Sequence, residues 1–169
     1  NDTDNKTKAK AITFLATGAD PKYKYIFDNG INDSSYSVAG ASLLGLSNLD
    51  PANAYTLVKK YAADAEGDLD EIVTTIIVLT GKEEDYDMIL QKYDALATQS
   101  KLNLTPFFCD YLAKLSDEQK IKQGVDKVIA FKNKIPKSQQ DSIYPLIDDS
   151  LQKIATAKGG DIQAYVSNA

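Results

Sequence analysis

Arginine, histidine and tryptophan are all absent from this sequence of 169 residues. Its 19 basic residues are therefore all lysines, and 24 acidic residues outnumber them, which gives a net charge of -5. A protein that binds nucleic acid needs a basic surface and commonly uses the arginine fork on phosphate and guanine. Without histidine, the commonest general base and the commonest metal ligand are missing. We therefore expect no nucleic-acid partner and no catalytic, cofactor-binding or metal-binding residue in this chain.

Cysteine and long apolar runs are also scarce. Cys109 is the single cysteine, so the chain cannot form an internal disulfide. It follows two phenylalanines and has no histidine to activate it, which favours a buried, inert thiol over a nucleophile. The most apolar run, residues 72–79, is far too short to cross a bilayer, and we expect no membrane span.

Apolar residues recur at helical spacing along most of the chain, which predicts about nine helices and no strand. Proline is favoured in the first turn of a helix, and it marks the predicted helix starts at Pro21, Pro51 and Pro106. Ser116 is predicted to cap a further helix, with Gln119 three residues later as in a capping box. The β-branched run at residues 72–79 is predicted to be helical because the acidic residues before it suit a helix start.

A calcium site is an alternative interpretation of the acidic cluster at this helix start, which consists of Asp64, Glu66, Asp68, Asp70 and Glu71. An EF-hand loop that starts at Asp64 needs glycine at its sixth position and glutamate at its twelfth. Leu69 and Thr75 occupy those two positions. We therefore interpret the acidic cluster as favourable electrostatics at the start of a helix.

The central stretch, residues 32–61, reads as a helix, an Asp-Pro corner and a second helix, and parts of it recur. Ala11 and Ala41 are 30 positions apart, and the same offset superimposes the corner at Pro21 on the corner at Pro51. Further matches occur at offsets of 32 and 35. Periods of this size with two helices each are typical of stacked helical hairpins. The small residues at 39–41 favour a close approach of a neighbouring helix.

These repeats lead to a predicted domain organisation. Residues 1–7 are polar and are predicted to be a disordered lead-in. Residues 8–169 are predicted to form a single helical-repeat domain, with clear repeats at 8–97 and a degenerate helical cap at 98–169. The chain opens with neither a methionine nor the apolar segment of a signal peptide, so we interpret it as an excised part of a longer protein.

The best repeat carries a family pattern. Residues 32–46, NDSSYSVAGASLLGL, resemble HEAT-like repeats, which have an aspartate, a polar pair, an aromatic residue or arginine, then valine, small residues and leucine. With the Asp-Pro corner and a Lys-Tyr helix end, the pattern is similar to the C-terminal helical domain of bacterial zinc aminopeptidases of the aminopeptidase N family. The resemblance covers residues 8 to about 97. It implies an all-α fold, an α-solenoid of HEAT-like antiparallel helix pairs in a right-handed superhelical stack.

The resemblance also implies a function. In that family the zinc motif H-E-x-x-H lies in a separate catalytic domain, so zinc and activity are expected in the rest of a parent metallo-aminopeptidase. This chain would be the non-catalytic C-terminal domain, which packs on the catalytic domain of the same polypeptide and shapes the access of substrate. The concave face of the helical stack is a further candidate contact for the peptide substrate. The family further implies a periplasmic or exported location. The alternative is a free-standing helical-repeat module for protein–protein interaction.

Ten tyrosines are the remaining candidates for a binding surface. Most of them are predicted to be half-buried, with the ring inside and the hydroxyl at the rim. The predicted interaction surface consists of Tyr36, Tyr55 and Tyr61, of which Tyr36 stands at the start of the best repeat.

Overall fold

The computed structural model describes residues 2–168, with side chains from Asp4 to Asn168. Within this range the chain has no strand and forms ten α-helices: α1 (Asp2–Thr17), α2 (Lys24–Gly30), α3 (Tyr36–Leu49), α4 (Ala54–Tyr61), α5 (Gly67–Thr80), α6 (Tyr86–Ala95), α7 (Thr98–Leu112), α8 (Glu118–Lys132), α9 (Lys137–Lys158) and α10 (Gly160–Asn168). Short 3₁₀ turns at Pro21–Tyr23 and Glu83–Asp85 precede α2 and α6. The predicted all-α class is confirmed, and the right-handed superhelical stack stays a prediction. Of these ten helices, none is both long and apolar enough to pass through a bilayer.

The helices pack into two compact units, Asn1–Thr80 and Gly81–Ala169. The sequence predicted one domain with its clear repeats ending at residue 97. The second unit includes α6 because this helix packs against α7 and α8. The hydroxyl of Tyr86 on α6, for example, donates a hydrogen bond of 2.7 Å to the carbonyl oxygen of Lys120 on α8. Interactions of this kind join residues far apart in the chain, so the repeat pattern does not reveal them.

The two Asp-Pro corners of the first unit have similar local structures. Asp20 accepts a hydrogen bond from the backbone N–H of Lys22 and caps the 3₁₀ turn that leads into α2. Asp50 accepts one from the N–H of Asn53, directly before α4. The proline in each corner has no N–H to donate, so it fits where no helical partner exists. The corners that the 30-residue offset superimposes therefore both precede a helix.

Helix α3 is the centre of the first unit and packs against α1, α2, α4 and α5. Its residues 38–43 are all buried. A Cβ added to Gly40 would lie 3.1 Å from the carbonyl oxygen of Asp68 and 3.2 Å from the α-carbon of Leu69, at the start of α5. The backbone of α5 therefore passes directly beside Gly40. The predicted close approach of a neighbouring helix at the small residues is confirmed.

Helix α1 begins at Asp2, so most of the segment predicted to be a disordered lead-in, residues 1–7, is helical; residue 1 lies outside the described residues. One face of α1 packs against the rest of the first unit. Lys8 forms an ion pair of 2.6 Å with Asp33, and Ala9 and Ile12 are buried. The prediction rested on polarity alone, but polar residues are compatible with the exposed first turns of a helix whose next turn is packed.

The core of the second unit is built around α7, which packs against α6, α8 and α9. Tyr93 and Phe108 stack with ring centroids 4.0 Å apart, and Tyr111 lies 6.3 Å from Phe108. All three side chains are buried, so Tyr93 and Tyr111 differ from the half-buried position predicted for most tyrosines. The hydroxyl of Tyr93 pairs with that of Thr105 at 2.8 Å, and Tyr111 donates to the carbonyl of Lys82 at 2.9 Å. These internal partners offset the cost of burying the hydroxyls.

Pro106 lies inside a helix and not at its start. Helix α7 begins at Thr98, eight residues before the predicted opening, and α9 likewise includes Pro145. A proline inside a helix removes one backbone hydrogen bond. The helix continues through Pro106 because Leu104 and Phe108, on either side of it, are buried in the core. Packing of the apolar face of α7 outweighs the preference of proline for the first turn of a helix.

The N-cap of α8 is Asp117, not Ser116 as predicted. The Asp117 carboxylate accepts hydrogen bonds from the N–H groups of Gln119 and Lys120 at 2.8 and 3.3 Å. The N–H of Ser116 instead donates to the carboxylate of Glu83 at 3.1 Å. Aspartate and serine are about equally good N-caps, so the sequence alone does not choose between them. The contact with Glu83 places Asp117 at the cap.

Glu83 holds the segment before α8 by accepting hydrogen bonds from the N–H groups of Asp117 and Ser116, at 2.7 and 3.1 Å. These bonds lower the pKa of the Glu83 carboxyl. Such a carboxylate stabilises the fold above its unfolded pKa, and the contribution is lost as the pH falls through the folded value. We expect Glu83→Gln to lower the free energy of unfolding at about pH 7 and to lower it much less at about pH 3.

Urea unfolding of the wild type and Glu83→Gln at both pH values measures this difference. Asp149→Asn removes an exposed carboxylate from the middle of α9 and serves as the control, which should follow the wild type at both pH values. A loss of stability in Glu83→Gln that is the same at neutral and acid pH would contradict the assignment.

Candidate functional site

Tyr36, Tyr55 and Tyr61, the predicted interaction surface, lie in the first unit in different surroundings. Tyr36 begins α3 and is 44% exposed, and a hydrogen bond with Glu66 raises the pKa of its hydroxyl. Tyr55 and Tyr61 are half-buried on α4, each beside a lysine of the same helix. Two side chains six positions apart on a helix point about 120° away from each other around its axis. The last two rings therefore lie on different sides of α4, and a shared interaction surface stays a prediction.

Cys109 is fully buried on α7, beside the stacked aromatic core. Burial raises the pKa of its thiol to about 12. The thiolate, which is the nucleophilic form, is therefore not populated near neutral pH. The predicted buried, inert thiol is confirmed.

The acidic cluster lies directly before and at the start of α5, which begins at Gly67. Asp68 and Asp70 are in its first turn, where the helix dipole favours negative charge. Asp68 also accepts a hydrogen bond from the hydroxyl of Ser37 on α3. Among the residues that the structure describes, no three histidine, cysteine, aspartate or glutamate side chains are grouped as a metal site needs. This hydrogen bond of Asp68 joins the start of α5 to α3.

A groove of about 470 Å³ lies in the first unit between α1, α3 and α5. Its apolar lining comes from all three helices and consists of Ala9, Ala41, Leu44 and Ile72. Two of these four residues are alanines, which leave open the space that larger side chains would fill. The central position of α3, with a flanking helix on each side, thus produces a concave apolar surface.

Opposite charges line the groove from its two flanking helices. Lys6 and Lys10 line it from α1, and Asp68 and Glu71 line it from α5. Phe14 lies one turn after Lys10 on the same face of α1 and is 78% exposed. An exposed phenylalanine on this face of α1 adds to the apolar surface that a partner can cover. The arrangement suits a partner segment that is apolar in the middle and charged along both edges.

Sequence reasoning did not identify this groove. The available signal was a pair of lysines four positions apart on α1 and an acidic pair three positions apart on α5. Either spacing places its two residues on the same face of a helix. That these two faces turn toward the same space depends on how α1, α3 and α5 pack. Periodicity within one helix does not contain that information.

The groove therefore combines an apolar lining with two oppositely charged sides, and Phe14 is exposed on the face of α1 that carries Lys10. These are features of a surface that binds a polypeptide. In comparisons with known proteins, no protein-family model, no curated protein and no solved structure matches the chain.

Proposed function

We propose that this chain is a non-catalytic helical module that binds an amphipathic helix of a partner protein in the groove between α1, α3 and α5. The observation that carries the proposal is the groove of about 470 Å³ with apolar residues from three helices and opposite charges on its two sides. Amphipathic helices bind by laying an apolar stripe into such a groove. The charged sides would add orientation more than affinity.

The charges of the groove define the expected partner. A helix that binds there should carry apolar residues at i, i+3 or i+4, and i+7. Acidic residues along one edge would face Lys6 and Lys10, and basic residues along the other would face Asp68 and Glu71. A helix whose acidic and basic edges are exchanged would place like charges next to each other if it bound in the same direction along the groove. The repulsion would disfavour binding in that direction.

Selection from a library of helix-forming peptides displayed on phage tests this proposal. We expect enriched peptides to share the apolar spacing and the two charged edges. Thr13→Arg adds a long charged side chain within the groove and should weaken their binding at least about tenfold, a loss of about 1.4 kcal/mol. Thr56→Arg makes the same exchange at an exposed position of α4 outside the groove and is the control. Enriched peptides that bind both variants equally well would refute the proposed site.

The resemblance in residues 32–46 suggests one particular partner. If the chain is the C-terminal domain of a zinc aminopeptidase, the bound helix belongs to the catalytic domain of the same polypeptide, and the module shapes access to the zinc site. The pairing of α2 with α3 and of α4 with α5 is compatible with helical repeats. The alternative is a free-standing interaction module, whose partner is a separate protein.

The reading frame upstream of Asn1 separates the two alternatives. A frame that encodes H-E-x-x-H several hundred residues earlier supports the aminopeptidase domain, and a frame that begins near Asn1 rules it out. In both cases the purified 169 residues should not hydrolyse peptides. Peptidase activity that stays with the chain through purification would contradict a non-catalytic module.

A further inference from the structure

Three lysines converge on a cavity of about 280 Å³ in the second unit. Lys101 belongs to α7, Lys127 to α8, and Lys134 follows the end of α8. Asp94 on α6 is the one acidic residue among the residues that line this cavity. Three ammonium groups and one carboxylate leave two uncompensated positive charges in a chain whose net charge is -5.

Lys101 is held within the cavity by several contacts. Its Nζ donates a hydrogen bond of 2.7 Å to the carbonyl oxygen of Asp94 and lies 3.7 Å from a carboxylate oxygen of the same residue. The ammonium also lies 5.4 Å from the ring centroid of Tyr93 and 5.9 Å from that of Phe131. Only 12% of its side chain is exposed. The position of this ammonium is therefore fixed before any ligand arrives, which reduces the entropic cost of binding.

The single carboxylate of Asp94 is already engaged. It forms an ion pair of 2.5 Å with Lys127 and is near Lys101. The ammonium of Lys134 has no hydrogen bond or ion pair with any side chain in the described part of the chain. Lys134 and Lys127 both act on Lys101 as like charges. An incoming anion would relieve this repulsion and would meet three donors at once.

We propose that this cavity binds a small phosphate monoester, with the phosphate between Lys101, Lys127 and Lys134. A phosphate monoester carries about two negative charges near neutral pH, which matches the two uncompensated positive charges. Lysine ammonium groups bind phosphate as point charges. Apolar residues Leu96, Ala130 and Ile135 complete the cavity and provide contacts for a short organic group. The volume lies just below the usual range of about 300–1,000 Å³ for ligand pockets, so the ligand is small.

Calorimetric titration with phenyl phosphate tests the site, with phenol and inorganic phosphate as the two reference compounds. We expect phenyl phosphate to bind most tightly and phenol to give no binding. Lys134→Gln removes an ammonium that has no partner among the described residues, so the fold should be unchanged and affinity should fall about tenfold. Lys114→Gln makes the same exchange at an exposed position after α7, outside the cavity, and should bind as the wild type does.

A second measurement locates the ligand. Side-chain NMR of the lysine Cε–Hε groups should show the largest phenyl phosphate shifts at Lys101, Lys127 and Lys134. Equal affinity for inorganic phosphate and phenyl phosphate would overturn the proposal that the ligand is an organic ester and would indicate a simple anion site. Absence of binding, equal losses in Lys114→Gln and Lys134→Gln, or shifts spread over all lysines would overturn the site itself. The result is independent of the groove in the first unit, which none of these variants changes.

Discussion

Phe108→Ala should destabilise the second unit by about 3–5 kcal/mol, the usual cost of deleting a buried phenylalanine side chain. Phe108 is completely buried and stacks on Tyr93 with ring centroids 4.0 Å apart. Its removal leaves a cavity beside Tyr93 and Tyr111 that the helices cannot easily close, because both tyrosine hydroxyls are fixed by hydrogen bonds. Urea unfolding followed by circular dichroism and tyrosine fluorescence measures the loss.

The neighbouring residue provides a matched control. Phe107 lies on the same helix and has the same side chain, but it is 46% exposed. Phe107→Ala should change the free energy of unfolding by no more than about 0.5–1 kcal/mol. If the two variants lose similar stability, the described packing of α7 is incorrect.

Gly45→Val should destabilise the first unit by about 3 kcal/mol, at the upper end of the usual range for overpacking. Gly45 is buried on α3. A Cβ at this position would lie 2.5, 2.6 and 2.7 Å from three ring atoms of Phe27, which is itself fully buried on α2. A ring in a closed core cannot turn aside as the end of a flexible side chain can, so α2 and α3 would have to separate.

Two further variants separate this clash from a general effect of losing glycine. Gly18→Val adds the same side chain after the end of α1, where a Cβ would lie 3.7 Å from the nearest atom, and it should be close to neutral. Phe27→Leu in the Gly45→Val background should recover part of the lost stability, because it removes the ring atoms that the valine meets. Strictly additive effects of the two substitutions would show that the residues do not clash.

The sequence correctly predicted those features of the fold that depend on residues close together in the chain. The spacing of apolar residues predicted an all-α chain, and the acidic residues correctly favoured a helix over a strand at residues 72–79. The Asp-Pro corners and the close approach at Gly40 were visible because each depends on a few adjacent residue types.

The features that were missed depend on contacts between distant residues. Pro106 lies inside α7 because the residues around it are buried, and Asp117 caps α8 because Glu83, more than 30 positions earlier, holds the preceding N–H groups. The groove in the first unit and the lysine cavity in the second unit were missed for the same reason. Each brings together side chains from three helices, and no pattern within one helix indicates which faces will meet.

The burial of Cys109 gives this chain a natural reporter of its own internal motion. It is the single thiol of the sequence, and it is completely enclosed in the second unit. A thiol-specific reagent can reach it only in molecules whose second unit has transiently opened. The rate of labelling under native conditions therefore measures the free energy of that opening, without denaturant and without an engineered probe.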